Sequence, residues 1–348
     1  MSEEHRLPAQ TYQRIVLAAR PRGQVAPENF RLETATLPTI DDLKINEVVI
    51  KNHYLSLDPY MRGRMSKAKS YAEPQALDQT MIGATAGQVV ASRHADFLPG
   101  DYVSGMLGWT EMAIEDGAAL RKVDAVILPL SVYLSVLGMP GVTAWYGIHR
   151  ILQAKAGQTL VVSAAGGAVG SVVGQLAKLI GCRVVGIAGG EQKCAYIVDE
   201  LGFDSCVDYK KFASEEELTD SLAAATPDGI DLLFENVGGR IFDASLARLN
   251  PYAKIALCGM IAGYSANSDN AQALKNSGKL LTMRATLQGF IVTEHMDVWP
   301  QALAELTELM VAKKLHYKEM IAQGLAAAPN AFIGLLSGKN LGKQLVRF

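Results

Sequence analysis

Hydrophobic residues change their spacing once along this chain. From Ile45 to about Leu120 apolar and polar positions alternate in short runs, EVVIKNHYLSL, AGQVVAS and DYVSGML, separated by Pro-, Gly- and Asp-rich turns. That period belongs to half-buried strands, so the region is expected to be all β. From Leu130 onward strands alternate with helices, the signature of βαβ units and a parallel sheet. TLVVSA (Thr159 to Ala164) reads as the first of these strands. Ala168 to Ile180 reads as a helix with Val169, Val172, Val173, Leu176 and Ile180 on one face, ended by Gly181.

Further strands are predicted at CRVVGI from Cys182, CVDY from Cys206, DLLFENV from Asp231, KIALCG from Lys254 and LTMRATLQGF near Leu281. DVWPQALAELTELMVAKKL then reads as a long amphipathic helix and KQLVRF as a closing strand. The α/β sheet has no evident place for that last strand, so it is expected to return to the β region. The resulting division is 1–130 for the first part of the β domain, 131–300 for the α/β domain and 301–348 for the return. No internal repeat or low-complexity segment interrupts it.

Composition narrows the class of partner. With 348 residues, 49% hydrophobic and 20% charged, the chain is long enough for two cores. A net charge of -2 and a pI near 6.3, with no basic run, provide no field for nucleic acid. A small molecule is the expected partner. Ala125 to Ile148 and Gly157 to Leu179 are almost uncharged, but Pro, Gly and polar residues break them, so no membrane span is expected. The four cysteines, Cys182, Cys194, Cys206 and Cys258, form no C-x-x-C pair, which favours a reducing compartment. MSEEHRLPAQTYQ lacks the apolar core of a signal peptide, and a cytoplasmic protein is expected.

The candidate chemistry lies at the strand ends. AAGGAVG, Ala164 to Gly170, joins a strand to a helix with small residues at Ala165, Gly167 and Gly170. Such a loop lets the backbone approach a pyrophosphate at a helix start. Strand, loop, helix and second strand arrive in the order a dinucleotide site requires. The second strand of such a unit normally ends in an acid that binds the ribose of NAD; this one ends in Gly189-Gly190, with Lys193 following. An absent carboxylate and a nearby ammonium favour the 2′-phosphate of NADP. The alternative has Lys193 solvated and Glu191 on the ribose. Tyr209, Asn236 in FENVGG, and Cys258 to Tyr264 in CGMIAGY stand at other strand ends, where ligands of open parallel sheets lie.

Taken together, NHYLSLDPYMRGRM, GMPGVTAWYG, AAGGAVGSVVGQLAKLIGCRVVGIAGG, FENVGG, CGMIAGY and KNLGKQLV resemble the zinc-free branch of the medium-chain dehydrogenase/reductases. More narrowly, they resemble the enone reductases that include prostaglandin and leukotriene reductases, plant double-bond reductases and bacterial curcumin reductase. The resemblance spans nearly the whole chain. It implies an α/β fold: a GroES-like β-barrel domain built from both chain ends and a doubly wound Rossmann domain inserted between them, with NADPH in the cleft and commonly a homodimer. Carried over by residue, it implies pyrophosphate contacts at Gly167, Ala168, Val169 and Gly170, and a 2′-phosphate at Gly189, Lys193 and Tyr209. Asn236, the segment Cys258, Gly259, Met260 to Tyr264, the segment Phe290, Ile291 and Val292, and Asn340 complete the cofactor contacts.

Where zinc alcohol dehydrogenases of that superfamily carry Gly-His-Glu, this chain reads Gly83-Ala84-Thr85, and no cysteine lies in the β domain. Metal-free chemistry is therefore expected: hydride from NADPH adds to the β-carbon of an α,β-unsaturated ketone or aldehyde, and a hydrogen-bond donor meets the enolate oxygen. A phenol, ordinarily with a pKa of about 10, is protonated at neutral pH and can donate. Tyr264 is the first candidate and Tyr54 the second; cleft packing is the alternative for both. Tyr60, Met61 and Arg62 read equally as a turn locked by Asp58-Pro59 with an internal salt bridge. Trp109 either lines a pocket or packs under the β domain, and Cys194 is either a reactive thiol or a helix spectator. Quinone reduction and non-catalytic NADPH binding remain the competing functions.

Overall fold

The structure, a computed structural model, describes residues 11–38, 42–264 and 273–348. Most of the amino-terminal stretch read above as leaderless lies outside them. Chain order begins with strands β1 (Thr11–Leu17), β2 (Phe30–Thr36) and β3 (Glu47–Ser56), a short helix α1 (Tyr60–Arg64), then β4 (Thr85–Ser92), β5 (Tyr102–Gly105), β6 (Met112–Asp116) and β7 (Arg121–Lys122). A second unit follows with α2 (Met139–Tyr146), β8 (Thr159–Ser163), α3 (Gly170–Ile180), β9 (Arg183–Ala188), α4 (Glu191–Ala195), β10 (Ser205–Asp208), α5 (Glu215–Ala225), β11 (Ile230–Glu235), α6 (Gly239–Leu246), β12 (Leu249–Leu257), α7 (Gly278–Thr282), β13 (Thr286–Gly289) and α8 (Trp299–Val311). The chain closes with β14 (Glu319–Gln323), α9 (Ala328–Leu336) and β15 (Lys343–Arg347).

Of the described residues, the first unit takes those up to Ser135 together with Glu319–Lys339 and Gln344–Phe348. Its main sheet has the order β14-β15-β3-β4-β5-β7, with β6 also on β3, and β1 and β2 form a separate antiparallel pair. β15 does return to this unit, antiparallel to β3 with Leu345 opposite Ser56. The core shows why: Leu55, Leu57, Met61, Trp109, Phe332 and Val346 come from distant parts of the sequence and pack in one cluster. Trp109 stacks on Phe30 at 5.2 Å between ring centroids and meets Phe332 edge-on at 5.7 Å. It is fully buried, which settles it as a packing residue. Arg62 finds a carbonyl as its partner, with Nη2 donating to Gly23 at 2.7 Å.

The second unit, Val136–Lys318 with Asn340–Lys343, is a six-stranded sheet of order β10-β9-β8-β11-β12-β13. Every pairing in it is parallel. This is the doubly wound Rossmann order, whose switch point falls between β8 and β11. Near-continuous apolar runs make β8 wholly buried and leave only the first residue of β9 exposed, as strands covered on both faces require.

Three differences from the sequence expectation stand out. α3 starts at Gly170 rather than Ala168. The run near Leu281 splits into α7 and β13, because Asn276 is tied to Asp243 (2.8 Å from its N–H) and the chain turns helically from there. The third is α8, expected in the returning segment but belonging to the second unit. Its apolar stripe Ala302, Leu306 and Met310 is buried, and Glu305 accepts a 2.6 Å hydrogen bond from Trp145 of α2.

Candidate active site

The glycine loop after β8 is shaped by its own backbone. Ala164 takes a left-handed conformation (φ 50°), and its carbonyl accepts from Gly167 N–H at 2.9 Å. That carbonyl then faces Gly170 so closely that a Cβ there would lie 2.4 Å from it. Only glycine fits the first position of α3. The tail comes back to this loop: Gly342 N–H donates to Gly166 at 2.8 Å, and Asn340 Nδ2 donates to the Gly342 carbonyl at 2.8 Å. Asn340 therefore stands beside the glycine loop within the second unit.

Across the switch point, Ser163 at the end of β8 joins Asn236 at the end of β11. Its hydroxyl accepts from Asn236 N–H and its carbonyl from Asn236 Nδ2, both at 2.8 Å. Next to it, Glu235 Oε1 accepts from Val237 and Gly238 N–H at 2.6 Å, while its Oε2 is buried without a partner. Complete burial pushes this carboxyl up to about 7 against the opposing pull of those N–H groups. The β12 turn joins the same knot, with Cys258 N–H donating to the Glu235 carbonyl at 2.9 Å and Ile261 N–H to that of Asn236 at 3.2 Å. Burial and the Glu235 carboxyl push the Cys258 thiol up to about 12.

The small residues at the end of β9, expected to leave room for a phosphate, are not surrounded by empty space at Gly189. A Cβ at this position would lie 2.8 Å from the Tyr209 ring and 2.9 Å from Lys210 Cε. The missing side chain thus admits Tyr209 and Lys210, rather than leaving an open space. Lys193 lies half-buried in the same place, its ammonium held below the ordinary lysine range by burial and by the charge of Lys210. Asp208 fixes the two turns together by accepting from Gly190 N–H (2.7 Å) and Lys210 N–H (3.1 Å) with one oxygen. Arg240 anchors the segment from below, donating to the Tyr209 carbonyl at 2.9 Å. Two ammonium groups that feel one another's charge, one of them packed with a phenol against Gly189, are a donor set for a dianionic group.

Residues 13–123 match the N-terminal domain family of oxidoreductases, and residues 168–308 match the zinc-binding dehydrogenase family. Among curated proteins, the NADPH-dependent curcumin reductase of Escherichia coli is 44% identical, with 97% of each chain covered. The NADP-dependent 2-alkenal reductase of Nicotiana tabacum is 43% identical, covering 86% of this chain and 87% of its own. A crystal structure of CurA from Vibrio vulnificus in complex with NADPH superposes with a TM-score of 0.89 at 47% identity, covering 96% of this chain and 98% of that one. The chain belongs to the enone reductase branch of the medium-chain dehydrogenase/reductases.

For this enone reductase the remaining expectations can be placed. Where its zinc-dependent cousins carry Gly-His-Glu, Thr85 is buried and donates to Asn52 Oδ1 at 2.8 Å. No group of three or more His, Cys, Asp or Glu among the described residues is arranged to hold a metal ion. Phe290 follows β13 and packs on Tyr146 and Phe234, at 5.5 and 6.2 Å between centroids, and Val292 is buried behind it. Tyr264 folds back over its own turn, its hydroxyl accepting from Met260 N–H at 3.4 Å. Tyr54 sits on β3 in the other unit, opposite Ala86 of β4. It lines a cavity of about 550 Å³ with Lys51, His53 and Arg347. That cavity is lined by none of the expected cofactor residues. Sequence reading missed Ser163, Glu235 and Lys210; the last was visible as the basic pair after Tyr209 in DYKK.

Proposed function

We propose that the protein reduces the carbon–carbon double bond of α,β-unsaturated ketones and aldehydes with NADPH. The observation that carries this is the approach of Tyr209 and Lys210, after β10, to Gly189 at the end of β9, with Lys193 of α4 within electrostatic reach of Lys210, in a chain similar from end to end to NADPH-dependent double-bond reductases. These three side chains hold the 2′-phosphate, and the loop Gly167 to Gly170 meets the pyrophosphate at the start of α3. Asn236, fixed by Ser163, and the turn Cys258 to Met260 carry the rest of the cofactor with Phe290, Ile291, Val292 and Asn340. Bound there, NADPH supplies a hydride for the β-carbon of the substrate.

Negative charge then moves to the carbonyl oxygen, and the Tyr264 hydroxyl donates to it. Tyr54 lines the substrate pocket. No metal enters the reaction. The same reading has the enzyme working as a homodimer in the cytoplasm. Among the described residues no helix is long and apolar enough to cross a membrane. The edge strand β13 leaves all four of its residues exposed, Leu287 among them, and such an edge suits pairing with a second copy. Light scattering measures that association.

The deciding experiment is NADPH oxidation against a panel of enones, enals and quinones, with the product identified. Saturated ketone or aldehyde is expected. Allylic alcohol, or turnover confined to quinones, would overturn the proposal.

A further inference from the structure

Two thiols flank the residues assigned to the 2′-phosphate and have no part in the reaction. Cys194 follows Lys193 on α4, and Cys206 lies on β10 three residues before Tyr209. Their sulfurs are 3.0 Å apart, with the Cys206 thiol donating to Cys194. Both are partly exposed. We infer that Cys194 and Cys206 form an oxidisable pair, closed to a disulfide by hydroperoxides, whose closure weakens the 2′-phosphate site.

The pair is singled out by its surroundings. The hydrogen bond from Cys206 holds Cys194 below the ordinary thiol range, with Lys211 assisting while burial and Asp208 oppose. Cys206 is raised by the same bond and by burial, so it keeps its proton. The other two thiols are poor nucleophiles: Cys182 is raised by burial and donates to the Lys155 carbonyl at 3.3 Å, and Cys258 is pushed up to about 12. Oxidation follows thiolate character and access, which directs it to Cys194.

The chemistry balances without a metal. The Cys194 thiolate attacks one peroxide oxygen and breaks the O–O bond, giving a sulfenic acid and hydroxide, or alkoxide from an organic hydroperoxide. The Cys206 sulfur then attacks Cys194 Sγ, expelling hydroxide, which takes up the Cys206 proton and leaves as water. Two thiols lose two electrons in all, and the peroxide gains them.

Closing requires the sulfurs to approach from 3.0 Å to about 2.05 Å. β10 is held in register along β9, with Cys206 opposite Gly186 and Asp208 opposite Ala188. α4 has no buried residue. The movement therefore falls on α4, and Lys193, the residue before Cys194, is shifted from its place relative to Lys210 and Tyr209 with it.

This inference rests on the proposed cofactor reading, and the test separates the two. The full-length protein, reduced and then treated with hydrogen peroxide, is followed by thiol titration and peptide mapping, and NADPH and NADH binding are measured by fluorescence titration. We expect the four free thiols to fall to two, a peptide pair joined through Cys194 and Cys206, and NADPH binding weakened about tenfold. NADH binding stays unchanged, and dithiothreitol restores the NADPH affinity. Cys194→Ser and Cys206→Ser should each abolish the peroxide effect. A link through Cys182 or Cys258, four surviving thiols, or a mapped disulfide with unaltered NADPH affinity would overturn the inference. Equal binding of NADPH and NADH by the reduced protein would overturn the cofactor reading instead, leaving the mapped link to decide the pair.

Discussion

Glu235 offers the sharpest quantitative test of the knot at the switch point. Its carboxyl is fully buried, and burial raises it from 4.5 to about 7 in the folded protein. Below the unfolded value both states carry the proton and pH has no leverage. Between the two values the unfolded chain is ionised while the folded one keeps its proton, so stability falls as pH rises; above the folded value the loss is complete. The full shift corresponds to about 3 kcal/mol. Glu235→Gln keeps an oxygen for the N–H groups of Val237 and Gly238 but has no charge to bury. Denaturant unfolding of both proteins, compared from about pH 5 to about pH 8, should show the variant gaining roughly 2 to 3 kcal/mol on the wild type across that range. Groups shared by the two proteins cancel in this difference, and the one thiol coupled to Glu235, Cys258, titrates outside the window. A difference that does not change with pH would refute the buried, protonated carboxyl.

Other outcomes follow from the same geometry. Lys193→Ala should cost about 1.5 to 3 kcal/mol of NADPH binding and leave NADH binding unchanged; fluorescence titration of both nucleotides reads this, and an unaltered preference would remove Lys193 from the site. Lys210→Ala should raise the pKa of Lys193, whose charge it opposes, and weaken NADPH in the same selective way. Tyr264→Phe should lower kcat by about a hundredfold at similar KM if its hydroxyl meets the enolate, whereas an unchanged kcat assigns the ring to packing. Gly170→Ala places a methyl 2.4 Å from the Ala164 carbonyl and should destabilise the fold by about 1 to 3 kcal/mol, seen as a lower Tm.

Much of this architecture was legible because local pattern and tertiary role coincide. The order of strand, glycine loop and helix around Ala164 to Gly170 states both its fold and its binding chemistry. The closing strand KQLVRF was predicted to return to the β region, and its residues Leu345 and Val346 are fully buried there. The misplaced elements are those whose pattern is ambiguous over a short window. The apolar run around Leu281 mimics a strand, yet Leu281 is mostly exposed, and the preceding anchor of Asn276 on Asp243 decides the helical turn. Lys210 went unread because its relevance depends on the absence of a side chain at Gly189, a contact between two parallel strands that sequence spacing does not reveal. Glu235 likewise looks like an ordinary strand-end acid until its burial is known.

The bond from Gly342 to Gly166 also has a consequence for how the protein is made. A ribosome delivers the glycine loop long before the four residues Asn340–Lys343 that pack with its unit. A chain that stalls or is clipped short of Asn340 would lack both the hydrogen bond of Gly342 to Gly166 and the Asn340 side chain that holds the Gly342 carbonyl, and its glycine loop would be left without that support.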